Sequence, residues 1–261
     1  MRPSLRLCGG TLLLALAACA SPPPPLPEAQ VLIFGEQHDQ PDHQRQTARA
    51  VVELGSHGRL AALVIEMAEH GHNTTGVPRD ADAARVRETL GWSGWEWPVY
   101  EGVVMAAVRA GVPVLGGNLP RAALRETMAD ASRDALLDAG ARERLTEAVR
   151  EGHCGLLPAE QEPGMVRVQI GRDQSLAATV TEALRPGQQV ILLTGAQPAS
   201  RDRGVPLHLA RLAHAPSVHV LIFGEQGHDL AADELRAARF TPRPDPCEGL
   251  AEKLRKGSRS G

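Results

Sequence analysis

The chain has few cysteines, no excess of positive charge and only one long apolar run, and each shortage excludes a class of protein. Its four cysteines form no Cys-x-x-Cys pair or other zinc-ligand spacing, so no zinc site is predicted. The net charge of −3 does not favour nucleic-acid binding. After the N-terminal segment no apolar run is long enough to span a bilayer. Cys154 and Cys247 remain open as a disulfide or as two separate thiols.

The apolar run that is present lies at the N-terminus and predicts export. A basic start followed by a short apolar stretch is typical of a signal peptide, here residues 1–18. Its ending, Leu16-Ala17-Ala18-Cys19, resembles the bacterial lipobox, whose cysteine is acylated. The alternative is an ordinary signal peptide in which Cys19 has no role. Under the first interpretation, residues 19–30 comprise a lipidated cysteine and a proline-rich tether. No aspartate lies beside Cys19, and in this the segment resembles the signals of lipoproteins that pass to the outer membrane.

Short apolar runs alternate with helical patterns over residues 31–240, which predicts a single α/β domain with a mostly parallel sheet of about five strands and helices on both faces. The predicted strands are Val31 to Phe34, Leu63 to Ile65, Val112 to Leu115, Val190 to Leu193 and Val218 to Phe223. The predicted helices are Asp42 to Leu54, Ala81 to Leu90, Val99 to Ala110, Arg121 to Arg150 with a break, Met165 to Leu184 and Pro206 to Ala213. Residues 241–261 are predicted to form a tail that frays at its end.

Acidic and imidazole side chains follow two of these strands. Glu36 and His38 come directly after the first strand, and Glu66 follows the second. Since ligands of open α/β sheets bind at the carboxyl ends of the strands, these residues predict a site. A near-repeat of the first strand begins at Val220 and contains His228, but a match this short does not establish a duplication.

The helix Met165 to Leu184 carries polar residues within its apolar stripe. Gln169, Arg172 and Asp173 interrupt the face that should meet the sheet. They either form a structural hydrogen-bond network or line a ligand pocket, and Arg172 has Glu36 or Glu66 as potential partners. After the third strand, Arg121 is expected to meet an anionic ligand group.

All the tryptophan and tyrosine of the chain lies between residues 92 and 100. Trp92, Trp95, Trp97 and Tyr100 predict either an aromatic wall for a flat ligand or a hydrophobic plug at one end of the sheet. A tyrosine phenolate can ligate haem iron, so Tyr100 is a candidate ligand, and His38 competes with it because imidazole is the commoner axial ligand.

These motifs, taken together and in order, resemble the ChaN-type haem-binding lipoproteins of the haem-binding uptake, Tiki, TraB and erythromycin esterase superfamily. The matching pieces are Gly35-Glu36-Gln37-His38-Asp39 with His43 and Gln46, Ile65-Glu66-Met67, Trp95 to Tyr100, Asn118 to Arg121, Gln169 with Arg172-Asp173, and Gly204-Val205-Pro206. The resemblance implies an α/β fold, anchoring at the outer membrane on its periplasmic side, and haem binding linked to iron acquisition. Haem and the membrane are the expected partners, and a homodimer is an expected assembly.

One residue departs from the family pattern. The family usually has a second Gly-x-x-His motif after the fourth strand, and here Pro198 stands in place of that histidine. Proline offers no ligand atom, which lowers the expectation of hydrolysis. The leading hypothesis is therefore a lipid-anchored haem-binding protein. One alternative is a hydrolase, with or without a metal, that uses Glu36, His38 and Glu66. The other is a degenerate relative that binds a partner protein instead of haem.

Overall fold

A computed structural model describes residues 25–38, 40–224, 230–245 and 247–249. Within them six parallel strands form one sheet in the order β3-β2-β4-β1-β5-β6. The strands are β1 (Val31–Glu36), β2 (Leu60–Glu69), β3 (Val114–Asn118), β4 (Gln189–Gly195), β5 (Val218–Phe223) and β6 (Glu234–Arg236). The predicted parallel α/β fold is confirmed. The sixth strand was not predicted, because its three residues, Glu-Leu-Arg, contain no apolar run.

Helices cover both faces of the sheet, as predicted. They are α1 (Pro41–Ser56), α2 (Ala83–Thr89), α3 (Trp97–Ala110), α4 (Leu124–Ala129), α5 (Ala139–Gly152), α6 (Glu162–Ala183), α7 (Ala196–Ala199) and α8 (Val205–Ala210). Two 3₁₀ turns, Arg121–Ala123 and Ala131–Leu136, break the predicted helix 121–150 on either side of α4. Prolines lie in the first turn of α1, α3, α6 and α8, where their missing N–H costs no helical hydrogen bond.

The alternation of side chains along the buried strands creates two cores. In β1, Leu32 and Phe34 pack with α1 and α3, whereas Val31 and Ile33 pack with α6 and α8 on the other face. These side chains are at most 2% exposed, and each contributes roughly 1.5–3 kcal/mol of burial free energy. Truncating Phe34 to alanine is expected to cost about 3–5 kcal/mol. The central strands are therefore rigid supports for whatever follows their carboxyl ends.

A disulfide joins Cys154, just after α5, to Cys247 in the C-terminal tail, across a sequence separation of 93. The two cysteines, which the sequence left open as a pair or as separate thiols, are therefore paired. Among the helices of the described residues, none combines the length and the apolar character that a bilayer span requires. The signal peptide and Cys19 lie outside the described residues.

Candidate functional site

The strand order brings the predicted acidic residues together. Strand β4 lies between β1 and β2, and Glu36, the last residue of β1, is paired in register with Gly195, the last residue of β4. On the other side of β4, Ile65 of β2 is paired with Leu193, so Glu66 lies beside Thr194. The carboxyl ends of three adjacent strands therefore carry both carboxylates to one edge of the sheet, as the sequence predicted.

Glu36 is the centre of a buried hydrogen-bond network. It is 1% exposed, and its Oε1 lies 2.7 Å from His38 Nδ1 and accepts a hydrogen bond of 2.9 Å from the Tyr100 hydroxyl. Its other oxygen accepts a hydrogen bond from the Gln44 amide. A carboxylate beside Nδ1 favours the tautomer with the proton on that nitrogen, which leaves the lone pair on Nε2. This is the arrangement in which histidines commonly bind a metal.

Glu66 is held by the neighbouring strand instead. Its Oε2 accepts hydrogen bonds from the Thr194 hydroxyl at 2.6 Å and from the Gly195 N–H at 2.8 Å. The Asn118 amide, at the end of β3, donates to the Glu66 backbone carbonyl at 2.9 Å. Glu66 is 6% exposed, so its side chain is almost wholly covered at this edge of the sheet. Charge-assisted bonds of this kind keep such a group fixed.

The aromatic residues divide between the core and the site. Trp92, Trp97 and Tyr100 are buried, and the two indole rings pack edge to face at 4.8 Å between centroids. Trp95 alone among the four lines a cleft beside His38, and its ring centroid lies 4.5 Å from that of His38. Three of the four rings therefore belong to the packed core, and Trp95 borders the cleft.

Tyr100 and His38 differ in access to a ligand. Tyr100 is 0% exposed and its hydroxyl is directed at Glu36, whereas the side chain of His38 is 35% exposed. A ligand in the cleft can reach His38 without rearrangement. It can reach the phenol oxygen of Tyr100 only after α3 or the ring has moved.

A cleft of about 600 Å³ opens beside His38, within the size range of small-molecule sites. Its walls come from β2, the aromatic segment, the loop after β3, and α6. Arg121 lies at the rim, 69% exposed and 3.7 Å from a Glu69 carboxylate oxygen. Such an exposed ion pair contributes little and leaves the guanidinium able to meet another anion.

The polar face of α6 borders the same cleft. Gln169 lines it and donates a hydrogen bond of 3.0 Å to Asp173, which lies behind it and is 0% exposed. Burial raises the pKa of Asp173 well above its usual range and outweighs the bond from Gln169, which lowers it. The expected pairing of Arg172 with Glu36 or Glu66 is not formed between these described residues. Leu176, on the same helix, packs in the core against the sheet.

His43 has a role that its sequence position did not reveal. It is 2% exposed, stacks on Phe223 at 5.0 Å between centroids, and its Nδ1 accepts the Gln37 N–H at 3.0 Å. Desolvation by burial lowers its pKa to about 4. A neutral His43 therefore holds the turn that carries His38.

Glycine and proline shape the space next to His38. A Cβ added at Gly195 would lie 3.2 Å from His38 Nε2, so any side chain there would crowd this nitrogen. Pro198, in the unpredicted helix α7, lines the cleft where the family pattern has histidine. His228 lies outside the described residues. In the part of the chain that is described, no three His, Cys, Asp or Glu side chains are grouped as a metal site.

Comparisons with known proteins agree with this geometry. Residues 25–209, more than half of the chain, match the family described as haem-binding uptake, Tiki superfamily, ChaN. A structure of cofacial haem binding to ChaN of Campylobacter jejuni aligns with a TM-score of 0.69 and 21% identity, and covers 82% of this chain and 89% of that chain. The type III effector HopBA1 aligns over 81% of this chain and 88% of its own at 12% identity, but with a TM-score of 0.42 that supports no argument. No curated protein matches the sequence.

Proposed function

Because the chain belongs to the family described as haem-binding uptake, Tiki superfamily, ChaN, we propose that it binds haem in the cleft at the carboxyl edge of its sheet. The observation that carries the proposal is the position of His38. This histidine is half-buried at the cleft, fixed by the Glu36 carboxylate at 2.7 Å and packed against Trp95. An imidazole with Nδ1 so occupied presents Nε2 to a metal, and haem iron is commonly held by such a nitrogen.

The residues present fit a flat, anionic, largely apolar group. A side chain at Gly195 would crowd Nε2 of His38, and Trp95 supplies an aromatic surface on the cleft. Arg121 and Gln169 line the wall and the rim, with Asp173 fixing the Gln169 amide. Haem would supply the ferric iron that accepts the ligand. The chain's own residues hold the imidazole, exclude water from one side and offer polar groups to the haem edge.

Tyr100 is the second candidate ligand. Its hydroxyl is 2.9 Å from Glu36 and 3.5 Å from His38 Nδ1, so it belongs to the same network. We propose that in the present arrangement it orients the Glu36–His38 pair, and that it could bind iron only by leaving Glu36. The two assignments make opposite predictions for the two side chains.

The experiment is a titration of the purified full-length protein with haemin, followed by absorption spectroscopy. We expect the wild type to shift the haem spectrum, His38→Ala to lose that shift, and Tyr100→Phe to retain the ligand signature. His57→Ala, at an exposed position after α1, is the matched control for loss of a histidine. A wild-type protein that leaves the haemin spectrum unchanged would overturn the proposal and favour the partner-binding alternative. A shift retained in His38→Ala and lost in Tyr100→Phe would assign the iron to Tyr100.

We propose further that the protein is lipid-anchored through Cys19 at the periplasmic side of the outer membrane and serves iron acquisition. The lipobox-like ending and the proline-rich segment after it support the anchor. We also propose that the haem-bound form is a homodimer. The structure of ChaN of Campylobacter jejuni shows cofacial haem binding, and a cleft that is open to solvent allows the haem of one copy to face the haem of another. Analytical ultracentrifugation with and without haemin tests this, and a monomer in both conditions would contradict it.

A further inference from the structure

We infer that Arg172 is an anchor for a carboxylate of the ligand, so that the cleft selects porphyrins whose propionate groups are free. The inference rests on the proposed haem-binding function and names the part of the ligand that α6 recognises. Arg172 is half-buried on the cleft wall, whereas Arg121 is 69% exposed.

Arg172 reaches the cleft without a charged partner among the described residues. Arg172 lines the cleft, and its Nε is inaccessible to solvent and makes no hydrogen bond in the described structure. In the same described part of the chain, none of the ion pairs includes its guanidinium. A buried, unsatisfied cationic donor is costly, and natural proteins seldom retain one without a reason.

The neighbouring acidic side chains do not pair with Arg172 in the described structure. Asp173, adjacent in sequence, is wholly buried, and burial favours its neutral form. One oxygen of Glu66 is occupied by the Thr194 hydroxyl and the Gly195 N–H. Glu36 is enclosed by His38, Gln44 and Tyr100. Among the described residues none of these three carboxyl groups forms an ion pair with Arg172, so its positive charge is available to an anion that enters the cleft.

The geometry of a guanidinium group indicates the shape of its partner. A guanidinium offers donors in a planar fork that fits a carboxylate with two parallel hydrogen bonds. The same cleft contains His38 and Trp95, which suit the iron and the ring face of a porphyrin. A porphyrin carboxylate is the anionic group that matches Arg172 while the ring occupies the aromatic side.

The test compares haemin with its dimethyl ester, which keeps the iron and the ring but lacks both negative charges. In detergent-matched titrations, we expect the wild type to bind haemin about 10- to 100-fold more tightly than the ester, the range of a charge-assisted hydrogen bond. Arg172→Met should remove most of this preference by weakening haemin and leaving the ester unchanged. Arg172→Lys should retain part of it, because the charge persists without the fork. Arg109→Met, at an exposed position of α3 outside the cleft, is the matched control and should keep the preference.

The outcomes separate the two proposals. Equal affinity of the wild type for haemin and ester would refute the role of Arg172 and leave haem binding intact, and this comparison needs no variant to fold. A preference that survives in Arg172→Met but disappears in Arg121→Met would assign the anchor to the rim instead. Failure of the wild type to bind either porphyrin would refute the proposed function itself.

Discussion

Lowering the pH from 7 to 5 should weaken the fold through His43, the histidine that supports the turn of His38. Burial lowers the pKa of His43 to about 4, whereas the ordinary value is 6.5. The unfolded chain therefore takes up a proton near pH 6.5 and the folded chain only near pH 4. Stability is complete above pH 6.5 and is lost as the pH falls through this window.

The size of the effect follows from the same two values. A separation of 2.5 pKa units costs about 2 kcal/mol at pH 5, and we expect about 1–2 kcal/mol after allowance for solvent screening. The local consequence is specific, because a protonated Nδ1 cannot accept the Gln37 N–H that it accepts at 3.0 Å in the neutral form. Acid should therefore loosen the turn that carries His38 before it unfolds the sheet.

The assay is urea unfolding at a series of pH values between 7 and 4.5, for the wild type and for His43→Asn. Asparagine places an oxygen near the position of Nδ1 and does not titrate, so the variant should show a flatter dependence of unfolding free energy on pH. His57→Asn, at an exposed histidine, is the control for the substitution itself. Equal slopes for the wild type and His43→Asn would refute the reasoning.

Three other predictions follow from residues around the site and at the N-terminus. Gly195→Ala should weaken haemin binding about 10-fold, because its Cβ would lie 3.2 Å from His38 Nε2 while its backbone conformation suits alanine; Gly102→Ala, where nothing lies within 4 Å of the new Cβ, should bind normally. Esterase and peptidase assays should show little turnover because Pro198 replaces a histidine, and metal-dependent activity that is lost in His38→Ala would contradict this. Cys19→Ala should abolish incorporation of labelled fatty acid, and wild-type incorporation in that variant would exclude this anchor.

The sequence predicted the sheet better than the connections between side chains. Strands β1 to β5 were recognisable because each contains a buried apolar run, whereas β6 was not, since Glu234–Arg236 depends on its pairing with β5 and has no pattern of its own. The third strand was expected from Val112 and begins at Val114, after Pro113, because proline cannot donate to the ladder.

Site residues were predictable as a group at one edge of the sheet, but their individual partners were not. Glu36, Glu66 and His38 share the edge because parallel strands end together. The direction of Tyr100 into the core, with its hydroxyl on Glu36, depends on how α3 packs on α1 and could not be read from spacing. The stacking of His43 on Phe223 likewise joins residues 180 positions apart.

The disulfide between Cys154 and Cys247 closes residues 154–247 into a covalent ring. The ring contains α6, β4, β5 and β6, while β1, β2 and β3 lie outside it. Since β1 is hydrogen-bonded between β4 and β5, strands outside and inside the ring alternate from β2 through β4 and β1 to β5. A single proteolytic cut between the two cysteines would therefore release no fragment, and the nicked protein would separate only after reduction. Closing a ring of this length is worth about 4–5 kcal/mol in the chain-entropy description.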